Sequence, residues 1–222
     1  FDDFTYDTLN RDRWTLAVDD GTTFAIPATP IRGGAIRGAT GTTDDAAIAI
    51  YGAPIWLGDQ NCGMEARFRI DVVTGLSVEM GFIDLATDFT LPVVTDVDTP
   101  ATGNGVGDCA VIHVDTDQTR QTFALVTLGS GSLAAAGVGD DDITMALGSA
   151  GLAADTWMKF RMQLAGNSVI VNMDDGQAAT HNGYRVTAIE GGTLVRPWLF
   201  FRTRNTTTKV VDVDYIATWA DR

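Results

Sequence analysis

The histidines and their acidic neighbours are the first side chains of this sequence that could do chemistry. His113 and Asp115 are expected on one face of an apolar, strand-like segment, with Asp117 near its end. Their nitrogen and oxygen atoms could ligate a cation, but Ca²⁺ takes about six to eight oxygen ligands and this group supplies too few. A lone histidine in an apolar strand is more often structural than catalytic. We therefore assign no catalytic or metal-binding residue to this group.

Serine and cysteine side chains offer no stronger nucleophile. Ser130 and Ser132 stand in a Gly-Ser-Gly-Ser segment that lacks the strand, sharp turn and helix of a nucleophile elbow. Cys62 and Cys109 stand in apolar, strand-like surroundings, without the partners at ligand spacing that a metal site needs. Two buried free thiols are the favoured interpretation, and a disulfide bridge is the alternative. The sequence predicts no catalytic residue and no cofactor.

The charge of the chain limits its partners. Its 222 residues carry a net charge of −14, and 26 of the 29 acids are Asp. Nucleic acid would be repelled, because no basic patch offsets this field. No apolar run approaches the ~18 residues of a membrane-spanning helix. The chain begins at Phe1 rather than Met, so we expect a segment upstream of it. Localisation cannot be read from the sequence.

Alternating apolar and polar residues predict an all-β chain that folds as one domain of residues 1–222. The clearest pair of strands runs from 157 to 174, with a turn at Gly166. Phe160 and Met162 fall on the apolar face of the first of these strands. We therefore predict a β-hairpin whose first strand buries both side chains in the core.

Three other segments carry specific predictions. Between 76 and 83, apolar residues alternate with Ser77, Glu79 and Gly81, which predicts a strand. Pro197 lies inside an apolar strand, which predicts an edge position or a bulge because proline cannot donate to the ladder. Near the C-terminus, four residues are predicted to share one strand face: Val211, Val213, Tyr215 and Trp219.

Three stretches together resemble the concanavalin A-like jelly roll that legume lectins, laminin G-like domains and laminarinases share: DDFTYDTLNRDRWTL, DTWMKFRMQL with VIVNMDDG, and VDVDYIATW. This resemblance implies a jelly-roll sandwich of two antiparallel sheets. It also leaves calcium open, because this fold often carries the ion in Asp-rich loops such as Asp140 to Asp142.

The glycosidase branch of that family has a strand with the pattern E-x-D-x-E, whose two glutamates act across the glycosidic bond. Matching Asp84 to the central Asp puts Phe82 and Ala86 at the two glutamate positions. Glu79 is the nearest acid on that segment. Because the catalytic pair is missing, a laminarinase-like glycoside hydrolase is the least favoured function, and we predict that the protein is not an enzyme.

The chain more particularly resembles jelly-roll proteins of tailed-phage virions, through the FDDF start, GFID, VRPWLFFRT and the VDVDYIATW ending. This resemblance implies a virion structural protein on the capsid surface, either a capsid decoration or cement protein or a head-fibre component. Its partners would be capsid or other virion proteins. Self-association, for example as a trimer, would add weak contacts into avidity on a repetitive lattice.

The irregular stretch 88–107 and the N-terminal end of the chain are the predicted contacts with such a partner, because recognition on a closed sandwich falls to its loops and termini. Phe89, Leu91, Val93 and Val94 are more apolar than a solvated loop requires. The alternative is that these residues fold back over the sheet edge as a local lid.

A secreted carbohydrate-binding, lectin-like module is the alternative function. Lectin sites on this fold usually present aromatic rings that stack on sugar faces, and Trp56, Tyr51 and Tyr184 are the candidates in this chain. Packing in the core or at its rim also explains each of them. The sequence thus leaves a glycan as the alternative partner.

Overall fold

The computed structural model describes residues 13–19, 21–27, 34–96, 101–118, 123–129, 144–146, 151–166, 168–174, 176, 180–185 and 189–220. All regular secondary structure in this part of the chain is β-strand, which confirms the all-β prediction. The strands are β1 Trp14–Val18, β2 Thr23–Ala25, β3 Ile36–Ala39, β4 Ala47–Gly52, β5 Trp56–Leu57, β6 Cys62–Ile70, β7 Leu76–Ile83, β8 Val94–Asp96, β9 Ala101–Thr102, β10 Cys109–Asp115, β11 Ala124–Leu128, β12 Thr144–Ala146, β13 Met158–Ala165, β14 Ser168–Asp174, β15 Thr180–Arg185, β16 Leu194–Thr203 and β17 Val210–Ala220.

The strands form two large antiparallel sheets, as expected. The order in the first sheet is β1-β4-β16-β7-β10-β11-β12, and β5 pairs with one end of β16. The order in the second sheet is β15-β14-β13-β6-β17-β3-β2. A small additional pair joins β8 and β9. Neighbours in both sheets are often distant in sequence, so the sandwich is held together by long-range pairing.

The predicted hairpin is confirmed as β13 and β14, with Leu164 opposite Val169 across the turn. Gly166 in the turn has φ +61°, a conformation that glycine adopts without a Cβ clash. The hairpin buries one face, where Phe160 is 1% and Met162 0% exposed. Their predicted place in the core is confirmed.

An apolar core fills the space between the two sheets. Phe160 of β13 stacks on Phe68 of β6 with the ring centroids 5.1 Å apart. Phe201 of β16, in the opposite sheet, meets Phe68 edge-on, also at 5.1 Å. Interlocked rings from both sheets therefore fix the spacing of the sandwich.

The face prediction for the last strand is half right. Val211 and Val213 are fully buried, but the pairing of β17 with β6 shifts its register between Val213 and Tyr215. A one-residue bulge reverses the faces of all later residues. Tyr215 and Trp219 are therefore turned to the outer side of the second sheet, and Ile216 takes the core position.

The middle strands of the first sheet are buried on both faces. Every residue of β7 is buried, whereas β13 alternates between buried and accessible residues. The outer face of the first sheet is covered by the described residues between 84 and 107, which we call the covering segment. Its Val93, Val94 and Val106 pack against this face in a second apolar cluster with Trp198 and Phe200.

Both cysteines are buried free thiols, as the favoured interpretation predicted. Burial raises the pKa of the Cys62 thiol to about 12, and burial also raises the pKa of Cys109. Because the thiolate is the reactive form, neither side chain is poised for nucleophilic chemistry. Separately, the described part of the chain contains no helix long and apolar enough to cross a membrane.

Candidate functional site

Glu79 lies in the middle of β7 with its carboxylate completely buried under the covering segment. One oxygen accepts the backbone N–H of Val93 at 3.0 Å and the indole N–H of Trp198 at 2.8 Å. The other oxygen accepts the N–H of Val94 at 2.7 Å. Three donors compensate the buried charge, and two of them fasten the covering segment to the sheet.

The residues matched to the E-x-D-x-E pattern all serve the packing of the fold. Phe82 lies in the core between the sheets, and Ala86, within the covering segment, is buried in the second apolar cluster. The Asp84 carboxylate accepts the N–H of Gly107 at 3.1 and 3.2 Å. Glu79 is the one acid of β7, and its oxygens are occupied. This strand presents no pair of carboxylates, and the absence of enzymatic activity stays a prediction.

His113 and Asp115 lie side by side on the outer face of β10, each beside charged partners. The Nδ1 of His113 is 3.5 Å from the Oε1 of Glu79, and both side chains are fully buried. Asp115 lies 3.1 Å from the Nε of Arg204 and accepts the N–H of Asp117 at 2.9 Å. No cluster of metal-ligating side chains occurs within the described ranges. His113 thus lies against Glu79 and Asp115 pairs with Arg204, and the described residues do not gather them into a ligand set.

Several other sequence candidates lie outside the described residues. These are Ser130, Ser132, Asp140, Asp141 and Asp142, and the side chain of Tyr184 is likewise not described. Calcium binding in the Asp-rich loop therefore stays a hypothesis from the sequence.

The predicted contact residues fold back onto the sheet. Val93 and Val94 are fully buried, and Phe89 stacks on Tyr51 with the centroids 3.9 Å apart and the rings 7° from parallel. Leu91 is 48% exposed. Partner contact stays a prediction, but in this conformation Leu91, rather than the buried valines, would meet a partner. The stacking also occupies a face of Tyr51 that a sugar would need.

The tryptophans at the outer side of the second sheet are also occupied by protein groups. Arg67 and Arg69 place their guanidinium carbons 4.7 and 5.0 Å from the ring centroid of Trp157. Arg161 lies 4.9 Å from the centroid of Trp219. These are cation–π contacts, so the guanidinium groups cover ring faces on which a ligand would otherwise stack.

A cleft opens at one end of the sandwich, where β16 changes partners. On one side β16 pairs with β5 through Leu194 and Val195, and with β4 from Trp198 onwards. Pro197 lies between these two pairings. No strand of the described chain pairs with it on that side of β16, so its missing N–H leaves no hydrogen bond of the sheet unmade there. The strand is thus central rather than an edge, which corrects that prediction. A Cβ at Gly52 would lie 2.7 Å from the Pro197 ring, so glycine lets β4 pass closely.

This opening, which we call the tryptophan cleft, has a volume of about 330 Å³. Its lining includes Arg13, Trp14, Ile55, Trp56, Pro197 and Thr218. Two more polar clefts, at the outer side of the second sheet, are smaller at about 230 and 220 Å³. Concave sites with mostly apolar walls and a few polar groups are typical of small-molecule binding.

Trp14, which lines the tryptophan cleft, carries an unused hydrogen-bond donor. The residue is 3% exposed, and its indole N–H has no acceptor among the described residues. Leaving a buried donor unpaired costs about 1–3 kcal/mol, so an acceptor from outside the chain is favoured there. No signal in the sequence pointed to this unpaired N–H.

Trp56 supplies the aromatic surface of the same cleft. Its ring is half-buried, and it packs against the edge of the main core. Ile55 beside it is 68% exposed, so the wall of the cleft continues to the surface. Of the three aromatic residues that the sequence offered for sugar binding, the structure places Trp56 in an open cleft. The cleft can therefore hold a ligand that has both an apolar face and hydrogen-bond acceptors.

The sequence matches no protein-family model and no curated protein sequence. Its fold does match solved structures. The carbohydrate recognition domain of Emp47p aligns with a TM-score of 0.64 and 11% identity, over 98% of this chain and 92% of that one. A β-glucanase from Bacillus licheniformis aligns with a TM-score of 0.55 and 14% identity, over 99% and 96% of the two chains.

A third similar structure is alginate lyase A1-II′, with a TM-score of 0.58 and 9% identity over 95% of both chains. Identities this low show a shared fold and carry no residue of a site from one chain to the other. The likeness to the β-glucanase and to the carbohydrate recognition domain confirms the predicted fold class. The chain is a concanavalin A-like jelly-roll sandwich of two antiparallel sheets.

Proposed function

We propose that this protein binds carbohydrate without transforming it, and that the tryptophan cleft is the binding site. The observation that carries the proposal is an open cleft lined by two tryptophans: Trp56, whose ring is half-buried, and Trp14, whose buried indole N–H lacks an acceptor in the described chain. Sugar rings combine an apolar face with oxygen acceptors. They therefore suit a site in which a half-buried ring lies near an unused donor.

The surroundings of the cleft favour binding over hydrolysis. Glu79, the acid of β7, lies beneath the covering segment and its two oxygens accept three N–H groups. The six side chains named for the cleft include no carboxylate and no imidazole that could act as general acid or base. The fold, shared with proteins named as a carbohydrate recognition domain and as a β-glucanase, supports a sugar ligand only at the level of architecture.

Removing the Trp56 ring is the first test of this proposal. A glycan array identifies ligands, and isothermal titration calorimetry measures their affinity for the wild type and for Trp56→Ala. We expect the substitution to weaken binding by about tenfold or more, which corresponds to ~1.4 kcal/mol of lost stacking. Trp157→Ala is the matched control, because its ring lies against two arginines outside the cleft, and its affinity should equal that of the wild type.

A second variant probes the donor. Trp14→Phe keeps an aromatic ring and removes the N–H, so it should weaken binding while circular dichroism shows the β-sandwich intact. Equal affinities of the wild type and both cleft variants would move the sugar site elsewhere. An array on which no glycan binds would reject the proposed function.

The virion role stays a prediction that rests on the sequence resemblance, as do a capsid partner and a trimer. Leu91, an exposed apolar residue of the covering segment, is the one of the four predicted contact residues through which self-association would act. We expect Leu91→Asp to dissociate the oligomer in analytical ultracentrifugation, because a buried unpaired carboxylate opposes an apolar interface.

Val18→Asp is the control for this experiment, since Val18 is similarly exposed at 46% but lies on β1. A monomeric wild type, or equal effects of the two substitutions, would contradict a role for Leu91 in assembly.

A further inference from the structure

Arg13 is the charged residue at the tryptophan cleft, and the described part of the chain leaves it without an ion pair. Its side chain is exposed, directly before β1. Other arginines near clefts are engaged: Arg37 lies 2.7 Å and Arg69 2.9 Å from Asp212. Among the described residues, no carboxylate competes with an external anion for the Arg13 guanidinium.

The lining of the three clefts differs in charge. The cleft of about 230 Å³ is lined by Asp71, Asp155 and Asp212 besides its arginines. The cleft of about 220 Å³ is lined by Glu65 and Asp174 besides its own cations. The described lining of the tryptophan cleft, by contrast, contains one cation, Arg13, and no acid. Local charge of this kind selects for ligands of the opposite sign.

We propose that the ligand of the tryptophan cleft is an anionic saccharide, whose sugar units carry a carboxylate or a sulfate ester. The inference rests on the proposed function and adds the charge of the ligand. The sugar ring lies on Trp56, one of its oxygens accepts the Trp14 N–H, and its anionic group pairs with Arg13. A guanidinium donates paired hydrogen bonds to either anion, and charged hydrogen bonds are roughly twice as strong as neutral ones.

The geometry gives each group a separate task. The Trp14 donor is buried at 3% exposure and the Arg13 side chain is exposed, so the ligand enters with its anionic group towards solvent. An anionic group at the mouth keeps much of its hydration, which limits the desolvation cost of pairing. A neutral sugar can still use Trp56 and Trp14, so it should bind more weakly rather than not at all.

Matched ligands test the charge directly. Isothermal titration calorimetry compares a galacturonate oligomer with its methyl ester, and a sulfated galactan oligomer with its desulfated form. We expect at least one acidic ligand to bind about tenfold more tightly than its neutral partner. Arg13→Gln should abolish that difference by lowering the affinity for the acidic ligand to that for its neutral partner. Lys159→Gln, at the smaller polar cleft, is the matched control and should leave the preference intact.

The outcomes separate this inference from the proposed function. Equal affinities of acidic and neutral sugars, with no effect of Arg13→Gln, would overturn the anionic ligand and leave carbohydrate binding standing. If Arg13→Gln lowered the affinity for both ligands equally, that would also overturn it. Arg13 would then contribute to the shape of the cleft and not to recognition of the anionic group. Failure of every sugar to bind would reject both proposals together.

Discussion

Glu79→Ala should destabilise the fold by about 3–5 kcal/mol, because it leaves three buried donors without their acceptor. The carboxylate accepts the backbone N–H groups of Val93 and Val94 and the indole N–H of Trp198, at 2.7 to 3.0 Å. It is fully buried, so water cannot replace it without opening the covering segment. The free energy of unfolding, from urea denaturation followed by fluorescence, measures the loss.

Glu79→Gln separates charge from volume at this position. Glutamine keeps the shape but turns an NH2 group towards donors, so at least one N–H loses its acceptor. We expect a loss of about 1–3 kcal/mol, smaller than that of the alanine variant. Glu190→Gln is the control, because its side chain is exposed and the same change there should be nearly neutral.

Hydrogen exchange adds a local readout to the stability measurement. The amides of Val93 and Val94 should be protected in the wild type and should exchange faster in both Glu79 variants. Retained protection at these two amides, together with a loss below about 1 kcal/mol, would show that Glu79 does not hold the covering segment.

The sequence could predict the strands that bury one face and expose the other to solvent. In β13 the polar residues between Phe160 and Met162 meet solvent, so the alternation of residue types matches the alternation of exposure. Local pattern and tertiary environment agree there. The same holds for β6, whose arginines lie on the accessible side.

On the outer face of β7, the alternation of residue types does not match the alternation of exposure. Ser77, Glu79 and Gly81 are the polar or small residues of an alternating strand, yet all three are buried. Their burial comes from the covering segment, and Glu79 finds its donors 14, 15 and 119 residues away. A pattern within eight residues contains no information about partners at such distances, so a second buried face was not predicted.

The tryptophan cleft was only partly predictable for a related reason. Trp56 could be proposed from its type, because a large ring suits sugar binding. The cleft itself depends on β16 changing its partner between Val195 and Trp198, which no local pattern signals. The unpaired N–H of Trp14 is likewise a property of its surroundings. Residue types could suggest the ligand class, and only the assembled fold brings the groups together.

Phe160→Ala should cost about 3–5 kcal/mol, because it removes a ring that joins the interlocked cluster between the two sheets. The Phe160 ring lies 5.1 Å from that of Phe68 and 5.0 Å from that of Phe123, and all three are buried. Strands paired on both sides cannot close around the space, so most of the cavity should remain. Guanidinium denaturation gives the loss as a change in midpoint at constant slope.

Phe89→Ala is the matched comparison, since it deletes the same ring from the covering segment. Phe89 is half-buried and stacks on Tyr51 beneath Arg196, whose guanidinium carbon lies 5.0 Å from the ring. Its neighbours on one side are solvent and a long flexible side chain, so the site can relax and the loss should be about 1–2 kcal/mol. A Phe160 loss no larger than that of Phe89 would mean that the sandwich closes around the missing ring. The covering segment would then stabilise the fold as much as the core between the two sheets does.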